Sequence, residues 1–374
     1  MKSKWKTKRL GDISTINYGY TAKASFNKAD SLFLRITDIQ DNFVDWKTVP
    51  YCSISEIDYE KYKLIDNDIV FARTGATTGK SYLIKKPPKS VAASYLIRLR
   101  LTDCDILPEF IAKYFQTPTY WNDISLGIVG SAQGGFNASK LSDLIIPVPP
   151  IEEQKRIVEI LDKAFEGIAQ AEANTRRNLI NARELFDSYL NQVFTKHDQN
   201  WTQEPLGKVC TLQRGYDLPQ RLRVEGKFPL VSSSGIIDSH QEAKVKAPGV
   251  VTGRSGSIGS LFYVKENFWP LNTVLYVKDF HENDPEFIFY LLKHFNLGKY
   301  ASGAGVPTLN RNHVHSVLVK KPIFIEEQKN LVKSLNKLQE YQKRLETIYQ
   351  RKLEAIAELK QSILEKAFTG QLSQ

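Results

Sequence analysis

The sequence is poor in cysteine and has no long apolar run. Its three cysteines, Cys52, Cys104 and Cys210, lie far apart, with no histidine at ligand spacing. Such usage favours neither a disulfide framework nor a zinc site, and it is typical of a reducing cytoplasm. No apolar stretch approaches the roughly 18 residues of a membrane span, so no transmembrane helix is expected. The basic segment 1–10 is not followed by an apolar region, so the sequence does not predict a signal peptide.

Complete catalytic motifs are also absent from the sequence. Residues 75–81, Gly-Ala-Thr-Thr-Gly-Lys-Ser, resemble a phosphate-binding loop. That loop has four residues between its glycines and a helix after them, whereas this segment has three and a predicted strand. His313-Val314-His315 could supply two metal ligands, but no third is evident, and a surface strand is the preferred interpretation. Glu152-Glu153 and Glu326-Glu327 suit the first turn of a helix, where acidic residues are favourable. We therefore expect no enzymatic activity, no cofactor and no metal in this chain.

Positive charge is concentrated in two stretches of the chain. Residues 1–150 contain 20 basic and 15 acidic residues, and residues 198–324 contain 15 and 11. Residues 151–197 have a net charge of −1 and residues 325–374 of +2, within a total of +10. A basic excess of this kind favours a polyanionic partner such as DNA or RNA.

The chain repeats itself. Ile-Glu-Glu-Gln-Lys occurs at 151–155 and again at 325–329. Five other matches occur in the same order: Trp5 and Leu10-Gly11 with Trp201 and Leu206-Gly207, Gly19-Tyr20 with Gly215-Tyr216, Arg73-x-Gly75 with Arg254-x-Gly256, Pro108-Glu109-Phe110-Ile111 with Pro285-Glu286-Phe287-Ile288, and Leu126-Gly127 with Leu297-Gly298. The offset shrinks from 196 to 174, so the sequence indicates two homologous halves, the second shorter.

Both halves begin with a mixed region and end with a long helix. Short strands are predicted at 31–36, 68–72, 81–84 and 96–101, and in the second half at 249–252, 261–264 and 273–277. A short helix is expected after Pro108 and after Pro285, because proline suits a first helical position. The predicted domains are 1–150, the helix 151–197, 198–324 and the helix 325–374.

The two long segments have heptad-like apolar spacing. It includes Val158, Leu161, Phe165 and Ile168 in the first and Val332, Leu335, Leu338 and Tyr341 in the second. Each helix would be about 65 Å long at about 1.5 Å per residue. Because an apolar stripe must be buried, we expect the helices to pair, and the tandem order favours an antiparallel pair. Two similar basic domains held at a set spacing suit the reading of two separated DNA segments.

Candidate DNA-binding residues follow from charge, the glycine-rich turns and the repeat. Arginines beside tight turns suit contacts with a phosphate or a base edge, and two small, polar segments, 130–137 and 302–311, could let the backbone approach DNA. An ordinary surface turn or loop is the alternative at each position. The candidates are Arg73, Thr74, Lys80, Gln133, Asn137, Arg214, Arg221, Arg223, Arg254, Ser255, Asn310 and Arg311.

The proline-rich lead into the first long helix is distinctive. It runs Ile-Ile-Pro-Val-Pro-Pro-Ile-Glu-Glu-Gln at 145–154, and a copy with fewer prolines occurs at 321–328. With the ending Ala-Phe-Thr-Gly-Gln-Leu at 367–372 and the segments 33–39 and 228–236, it resembles the specificity subunit of type I restriction–modification systems. The resemblance covers essentially the whole chain. The two globular regions are similar to different subtypes of target-recognition domain in that family.

The resemblance implies an α+β fold: two mixed α/β target-recognition domains joined by two long antiparallel helices, a coiled-coil spacer with a pseudo-twofold internal repeat. It implies recognition of an asymmetric, bipartite double-stranded DNA site. Two methyltransferase subunits would dock on the helices, and two restriction/translocase subunits would join them. S-adenosylmethionine, ATP and magnesium would be bound by those partners. An adaptor for an adenine methyltransferase without restriction, and a coiled-coil scaffold that binds protein, are the alternatives.

Overall fold

The computed structural model describes residues 5–40, 43–129, 135–195, 200–303 and 307–372. The chain forms two compact units. The first unit contains Met1–Thr175 and Arg351–Gln374, and the second contains Arg176–Gln350. The division falls inside both long helices, so each unit includes part of each helix. The predicted domain limits at residues 150 and 324 stay a prediction.

The first half contains the elements up to the first long helix. Its strands are β1 (Lys6–Arg9), β2 (Ser14–Tyr18), β3 (Ser31–Leu34), β4 (Ile39–Gln40), β5 (Phe43–Val44), β6 (Tyr51–Cys52), β7 (Ile69–Ala72), β8 (Ser81–Leu83), β9 (Ser90–Ala92), β10 (Leu96–Leu101) and β11 (Ile145–Val148). Its helices are α1 (Glu56–Tyr62), α2 (Pro108–Tyr114), α3 (Pro118–Val129), α4 (Ala138–Ser142) and α5 (Ile151–Thr195).

The second half has a similar set of elements. Its strands are β12 (Trp201–Pro205), β13 (Thr211–Arg214), β14 (Phe228–Ser232), β15 (Gly235–His240), β16 (Gly249–Gly253), β17 (Leu261–Val264), β18 (Trp269–Pro270), β19 (Val274–Asp279), β20 (Ala301–Ser302), β21 (Thr308–Leu309) and β22 (Leu318–Pro322). Its helices are α6 (Leu206–Val209), α7 (Pro285–Phe295), α8 (Arg311–His315) and α9 (Ile325–Phe368).

The sheets follow the same order in both halves. An antiparallel four-stranded sheet runs β2-β10-β7-β8 in the first and β13-β19-β16-β17 in the second. A mixed three-stranded sheet runs β6-β3-β9 in the first and β15-β14-β18 in the second. An antiparallel ribbon pairs β1 with β11, and β12 with β22. The repeat seen in the sequence is therefore also a repeat of strand order.

The four-stranded sheet of each unit is buried on both faces. In β7, Ile69 and Phe71 belong to one core, and Val70 and Ala72 belong to another. Successive side chains on a strand point to opposite faces, so a strand covered on both sides is apolar throughout. In β16, Val250 and Val251 likewise belong to different cores. This double burial explains why these strands appear in the sequence as short continuous apolar runs.

The long helices complete the core of each unit. In the first unit Ile157 and Leu161 of α5 and Leu364 and Ala367 of α9 are fully buried in the core that contains Phe110. The matching core of the second unit includes Phe186 and Leu190 of α5 and Val332 and Leu335 of α9. Part of the predicted stripe is not buried: Tyr341, Ile348 and Leu359 of α9 are about half exposed (51%, 47% and 51%).

A buried glutamine fastens the start of each long helix. Gln154 accepts a hydrogen bond from the Leu107 amide and donates to the carbonyls of Asp105 and Pro149, each at 2.9 Å. Gln328 accepts from the Asp284 amide at 3.0 Å and donates to Asn283 and Pro322. The glutamine of the repeated Glu-Glu-Gln therefore ties its helix to the segment that precedes α2 or α7.

Most predicted elements are confirmed, with shifted ends. Strands 96–101 and 261–264 and both proline-started helices are present. The strand predicted at 31–36 ends at Leu34, because the Asp38 carboxylate accepts from the Arg35 amide and side chain and closes a turn there. The strand predicted for His313-Val314-His315 is wrong. These residues belong to α8, which Asn310 caps by accepting the Asn312 amide.

Candidate nucleic-acid interface

A basic cleft of about 810 Å³ opens in the second unit. Four of the predicted residues line it together. Arg214 ends β13, Arg254 follows β16, Asn310 precedes α8, and Arg311 begins α8. Gln213, Tyr216, Asp217 and Thr308 also contribute. The fold therefore brings three guanidinium groups, separated by up to 97 positions in sequence, around one opening.

Arg254 is held firmly within this cleft. Its amide donates to the Thr273 carbonyl and its own carbonyl accepts from the Leu309 amide, each at 2.8 Å. Its guanidinium is partly buried and donates to the Asn272 carbonyl at 3.4 Å. The neighbouring Ser255 forms a bridge with Thr308. Because both sides of the Arg254 backbone are fixed, the point from which its side chain enters the cleft is fixed, and no backbone freedom has to be lost when a ligand binds.

Arg214 lies beside an acidic partner. Its guanidinium is 3.7 Å from the Asp217 carboxylate, which also accepts from the Asn272 amide group. The turn between them requires glycine, because a Cβ on Gly215 would lie 2.1 Å from the Leu271 carbonyl oxygen. This close approach explains the repeated Gly-Tyr pair in the sequence and fixes where Arg214 enters the cleft.

The first unit has an equivalent cluster with different side chains. Arg73 corresponds to Arg254, since its carbonyl accepts from the Phe136 amide at 2.9 Å as that of Arg254 does from Leu309. Asn137 caps α4 by accepting the Lys140 amide, as Asn310 caps α8. The Arg73 guanidinium carbon lies over the Tyr18 ring. Both units therefore have an arginine whose carbonyl accepts a backbone amide and an asparagine that caps a short helix.

Tyr18 is a candidate residue that the sequence interpretation missed. It occupies the position of Arg214, directly before the repeated Gly-Tyr, and it is 41% exposed. Its hydroxyl accepts from the Ala138 amide at 3.2 Å, at the start of α4. The signal was available, because the alignment of Gly19-Tyr20 with Gly215-Tyr216 places Tyr18 opposite an arginine.

Other predicted residues lie elsewhere. Lys80 lines a separate cavity of about 720 Å³ with Lys113 and Lys360. Thr74 is exposed at the turn Gly75–Thr77 and, among the described residues, has no cap bond from its side chain. Arg221 is exposed in the turn Gln220–Leu222, and Arg223 donates to the Leu218 carbonyl at 3.4 Å. Gln133 lies outside the described residues, as do 130–134 and 304–306 of the two small, polar segments.

The glycine-rich segment after β7 forms a tight turn between strands. Gly75 and Gly79 have φ values of 78° and 92°, a region that favours glycine. Strand β8 follows directly, so the helix that a phosphate-binding loop requires is replaced by a strand. The interpretation as a strand-to-strand turn is confirmed. Gly256 and Gly259 adopt the same backbone region in the second unit, with φ values of 77° and 76°.

Two titratable groups of the second unit, His315 and Cys210, have structural roles. His315 accepts the Leu212 amide at 2.9 Å on its Nε2 atom. Burial, aided by the nearby Arg311 charge, lowers the pKa of His315. Burial raises the pKa of the Cys210 thiol to about 12, so this thiol stays protonated and unreactive. Within the described ranges, no three His, Cys, Asp or Glu side chains form a metal-binding group.

None of the helices in the described part of the chain has both the length and the apolar character required to cross a membrane.

Comparisons with known proteins agree with this architecture. A family model, the type I restriction modification DNA specificity domain, matches residues 2–182 and again 198–355. The EcoKI specificity subunit of Escherichia coli is 26% identical over 49% of this chain, a match that covers 40% of that relative. A putative MjaX specificity subunit of Methanocaldococcus jannaschii is 23% identical, covering 98% of this chain and 93% of the relative.

Solved structures share the fold. One chain, from work on complex assembly and conformational transition of the type I R-M system, has a TM-score of 0.80 at 18% identity, covering 98% of both chains. The HsdS subunit of Thermoanaerobacter tengcongensis has a TM-score of 0.61 at 17% identity, covering 99% of this chain and 98% of that one. These matches favour neither an adaptor without restriction nor a coiled-coil scaffold.

Proposed function

The chain belongs to the type I restriction modification DNA specificity family, and from that premise we propose that it reads an asymmetric, bipartite double-stranded DNA site, one half with each unit. The observation that carries the proposal is the pair of equivalent clusters around Arg73 and Arg254. Their backbone hydrogen bonds match, whereas their side chains differ: Tyr18 in the first unit is replaced by Arg214 in the second. Matched frameworks with unlike side chains suit two related readers that select different bases.

The long helices would set the spacing between the two half-sites. Contacts within each unit support an antiparallel pair. In the first unit Lys360 of α9 lies over the ring of Phe165 of α5, and in the second Glu346 of α9 accepts from Arg183 of α5 at 3.0 Å. Within the first unit, Ile157 and Leu161 from the start of α5 share a core with Leu364 and Ala367 from the end of α9. Seven-residue spacing of the buried Ile168, Thr175 and Ala182 on α5 also suits a coiled pair.

The helices would also carry the catalytic subunits. Tyr341, Ile348 and Leu359 of α9, and Ile180 and Leu185 of α5, are exposed apolar side chains of the kind that a partner helix covers. Two methyltransferase subunits would dock there, and two restriction/translocase subunits would join the complex. This chain would have no active site of its own. S-adenosylmethionine, ATP and magnesium would be bound by the partners, in the cytoplasm.

The test is to express the chain with its methyltransferase subunit and map the adenines that become methylated across the host genome. We expect one asymmetric sequence in two parts separated by a constant spacer. Binding of the same complex to duplexes that contain this site should weaken steeply as salt rises, because phosphate contacts release counterions. Methylation without sequence selection, or a continuous palindromic site, would refute the proposal.

Single substitutions test whether the two readers are separate. We expect Arg73→Ala to relax selection in one half-site and Arg254→Ala to relax it in the other. The unchanged half-site of each variant is the internal control for folding and for assembly with the methyltransferase. Equal loss in both halves for either variant would contradict one reader per unit.

A further inference from the structure

The cleft of the second unit has more hydrogen-bond donors than acceptors. Its charged side chains are Arg214, Arg254 and Arg311 against the single carboxylate of Asp217. Each guanidinium has five N–H donors and no acceptor. The Asp217 carboxylate is already next to Arg214 and accepts from Asn272. A ligand that fills this cleft must therefore present acceptors.

Two of the four uncharged polar side chains that line the cleft are paired within the protein. The Asn310 side-chain oxygen accepts the Asn312 amide at 3.0 Å. The Tyr216 hydroxyl is paired with that of Tyr276, also at 3.0 Å. These pairings use part of the acceptor capacity that a base with an exposed amino group would need.

We infer that this cleft reads a guanine in the major groove, with Arg254 as the residue that contacts the base. This rests on the proposed function. In the major groove guanine presents two acceptors, N7 and O6, which an arginine fork can contact together. Adenine and cytosine each present an amino donor there, which would face arginine donors. The chemistry of the cleft thus selects for guanine and against the donor-bearing bases.

Arg254 is better suited to a base edge than Arg311. Arg254 is partly buried, its backbone is fixed on both sides, and its guanidinium donates only to the Asn272 carbonyl among the described groups. Arg311 is exposed at the start of α8. A recessed, oriented fork suits a base, whereas an exposed cation suits a phosphate. Arg214, placed by Asp217, is the second donor toward the same guanine or a neighbouring one.

The first unit offers a useful contrast. Arg73 stands where Arg254 does, but Tyr18 replaces Arg214, so the paired arginines occur only in the second cluster. The inference therefore concerns the half-site read by the second unit alone. Gln213 is the natural competitor, since a glutamine can contact adenine. It also lines the cleft, but it is opposite Tyr276 on β13 while Arg214 is opposite Leu275, so the two side chains leave opposite faces of the strand.

The experiment uses the complex of this chain with its methyltransferase and the target found by methylation mapping. In the half-site altered by Arg254→Ala, each guanine is replaced in turn by 7-deazaguanine, which pairs normally but lacks the N7 acceptor. We expect one replacement to weaken binding of the unmodified protein by about 10-fold. The same replacement should change binding of Arg254→Ala by less than about 2-fold, because the contact is already lost.

Two variants serve as controls. Arg311→Ala should lower affinity equally for all sequences and make the dependence on salt shallower by about one unit of slope, as a phosphate contact does. Lys265→Ala, at an exposed position of the second unit outside the cleft lining, should leave base selection unchanged. Melting temperature and retention of the methyltransferase confirm that each variant is folded.

Several outcomes would overturn the inference while leaving the bipartite reader intact. In the first two, the half-site contains no G·C pair, or 7-deazaguanine has no effect at any position. In the third, Arg254→Ala lowers affinity equally for all sequences and makes the salt dependence shallower, as loss of a phosphate contact does. In the fourth, Gln213→Ala abolishes selection of an adenine. Failure of the proposed function differs from all of these, because the unmodified complex would then select no two-part site at all.

Discussion

The guanidinium carbon of Arg73 lies 4.7 Å from the centroid of the Tyr18 ring. Arg73 follows β7 and Tyr18 ends β2, with β10 between them in the sheet. The ring therefore supports a cation that reaches across the edge of the sheet. A stack of this kind orients the plane of the guanidinium as well as attracting its charge.

Removal of that ring should disturb one half-site only. We expect Tyr18→Ala to lower affinity for the cognate site by about 2- to 5-fold, the range for an exposed cation–π contact, and to relax selection in the first half-site. Tyr18→Phe retains the ring and loses only the hydroxyl that accepts from Ala138, so it should retain selection. Binding to a panel of single-base variants is the measurement. Unaltered selection in Tyr18→Ala would show that the stack does not orient Arg73 for DNA.

The glutamine at the start of α5 should matter for stability. Gln154→Ala leaves three backbone groups, of Leu107, Asp105 and Pro149, without the buried side chain that they bond to. We expect the free energy of unfolding to fall by about 2 kcal/mol or more. The measurement is the free energy of unfolding in denaturant, with hydrogen exchange of the first unit as the probe. The exposed Gln170, which bonds only with Asn174 among the contacts described, is the matched control, and its alanine variant should change stability by less than about 0.5 kcal/mol. Equal effects would contradict this role.

Acid should destabilise the second unit through His315. Burial and Arg311 hold the pKa of His315 below the ordinary value of 6.5. In this pH range the unfolded chain then binds more protons than the folded one, so the contribution is fully present above about pH 6.5 and is lost as pH falls through the lowered folded value. Burial also lowers the pKa of His294, which adds to the effect.

His315→Gln should therefore lessen the fall in melting temperature between about pH 7 and about pH 5. The glutamine oxygen can still accept the Leu212 amide, so the fold is retained. His313→Gln, at an exposed position of the same helix, is the control and should leave the pH profile as it was. If the profile of His315→Gln matched that of the unmodified chain, His315 would not be the group responsible.

Length of the helices should determine the spacer in the DNA site. Insertion of one heptad in both helices, near residues 175 and 350, adds about 10.5 Å at about 1.5 Å per residue. We expect the spacer to lengthen by about three base pairs, since each step is about 3.4 Å. Methylation mapping reads the new spacer directly. Insertion into one helix alone mismatches the pair and should reduce methylation. An unchanged spacer after the double insertion would mean that the length of the helices does not set the spacer length.

Much of the fold was predictable from local pattern. Heptad spacing predicted the span of both long helices, and the proline positions predicted the starts of α2 and α7. The repeat predicted that two halves would share one plan. These signals are local or internal to the sequence, so they do not depend on how distant segments pack.

Other features could not be found this way. The segment His313-Val314-His315 is too short for the spacing of its apolar and polar residues to distinguish a strand from a helix. The Asn310 side chain caps a helix here. The partners of Gln154 lie 47 and 49 positions away, apart from Pro149. Lys80, close to Arg73 in sequence, lines a cavity with Lys360 that does not include Arg73.

The sequence by itself determined that the chain is duplicated, that each half ends in a long helix, and that the positive charge belongs to the mixed regions. Those properties follow from the spacing of residues and from the composition of each stretch. Only the tertiary structure decided that Arg214, Arg254 and Arg311 share one cleft and that Tyr18 supports Arg73. The reason is that sheet order, and not chain order, places the end of β13 one strand away from the end of β16, with β19 between them, while the bridge from Ser255 to Thr308 brings β21 next to the end of β16. The side chains at those ends are what make the two readers different.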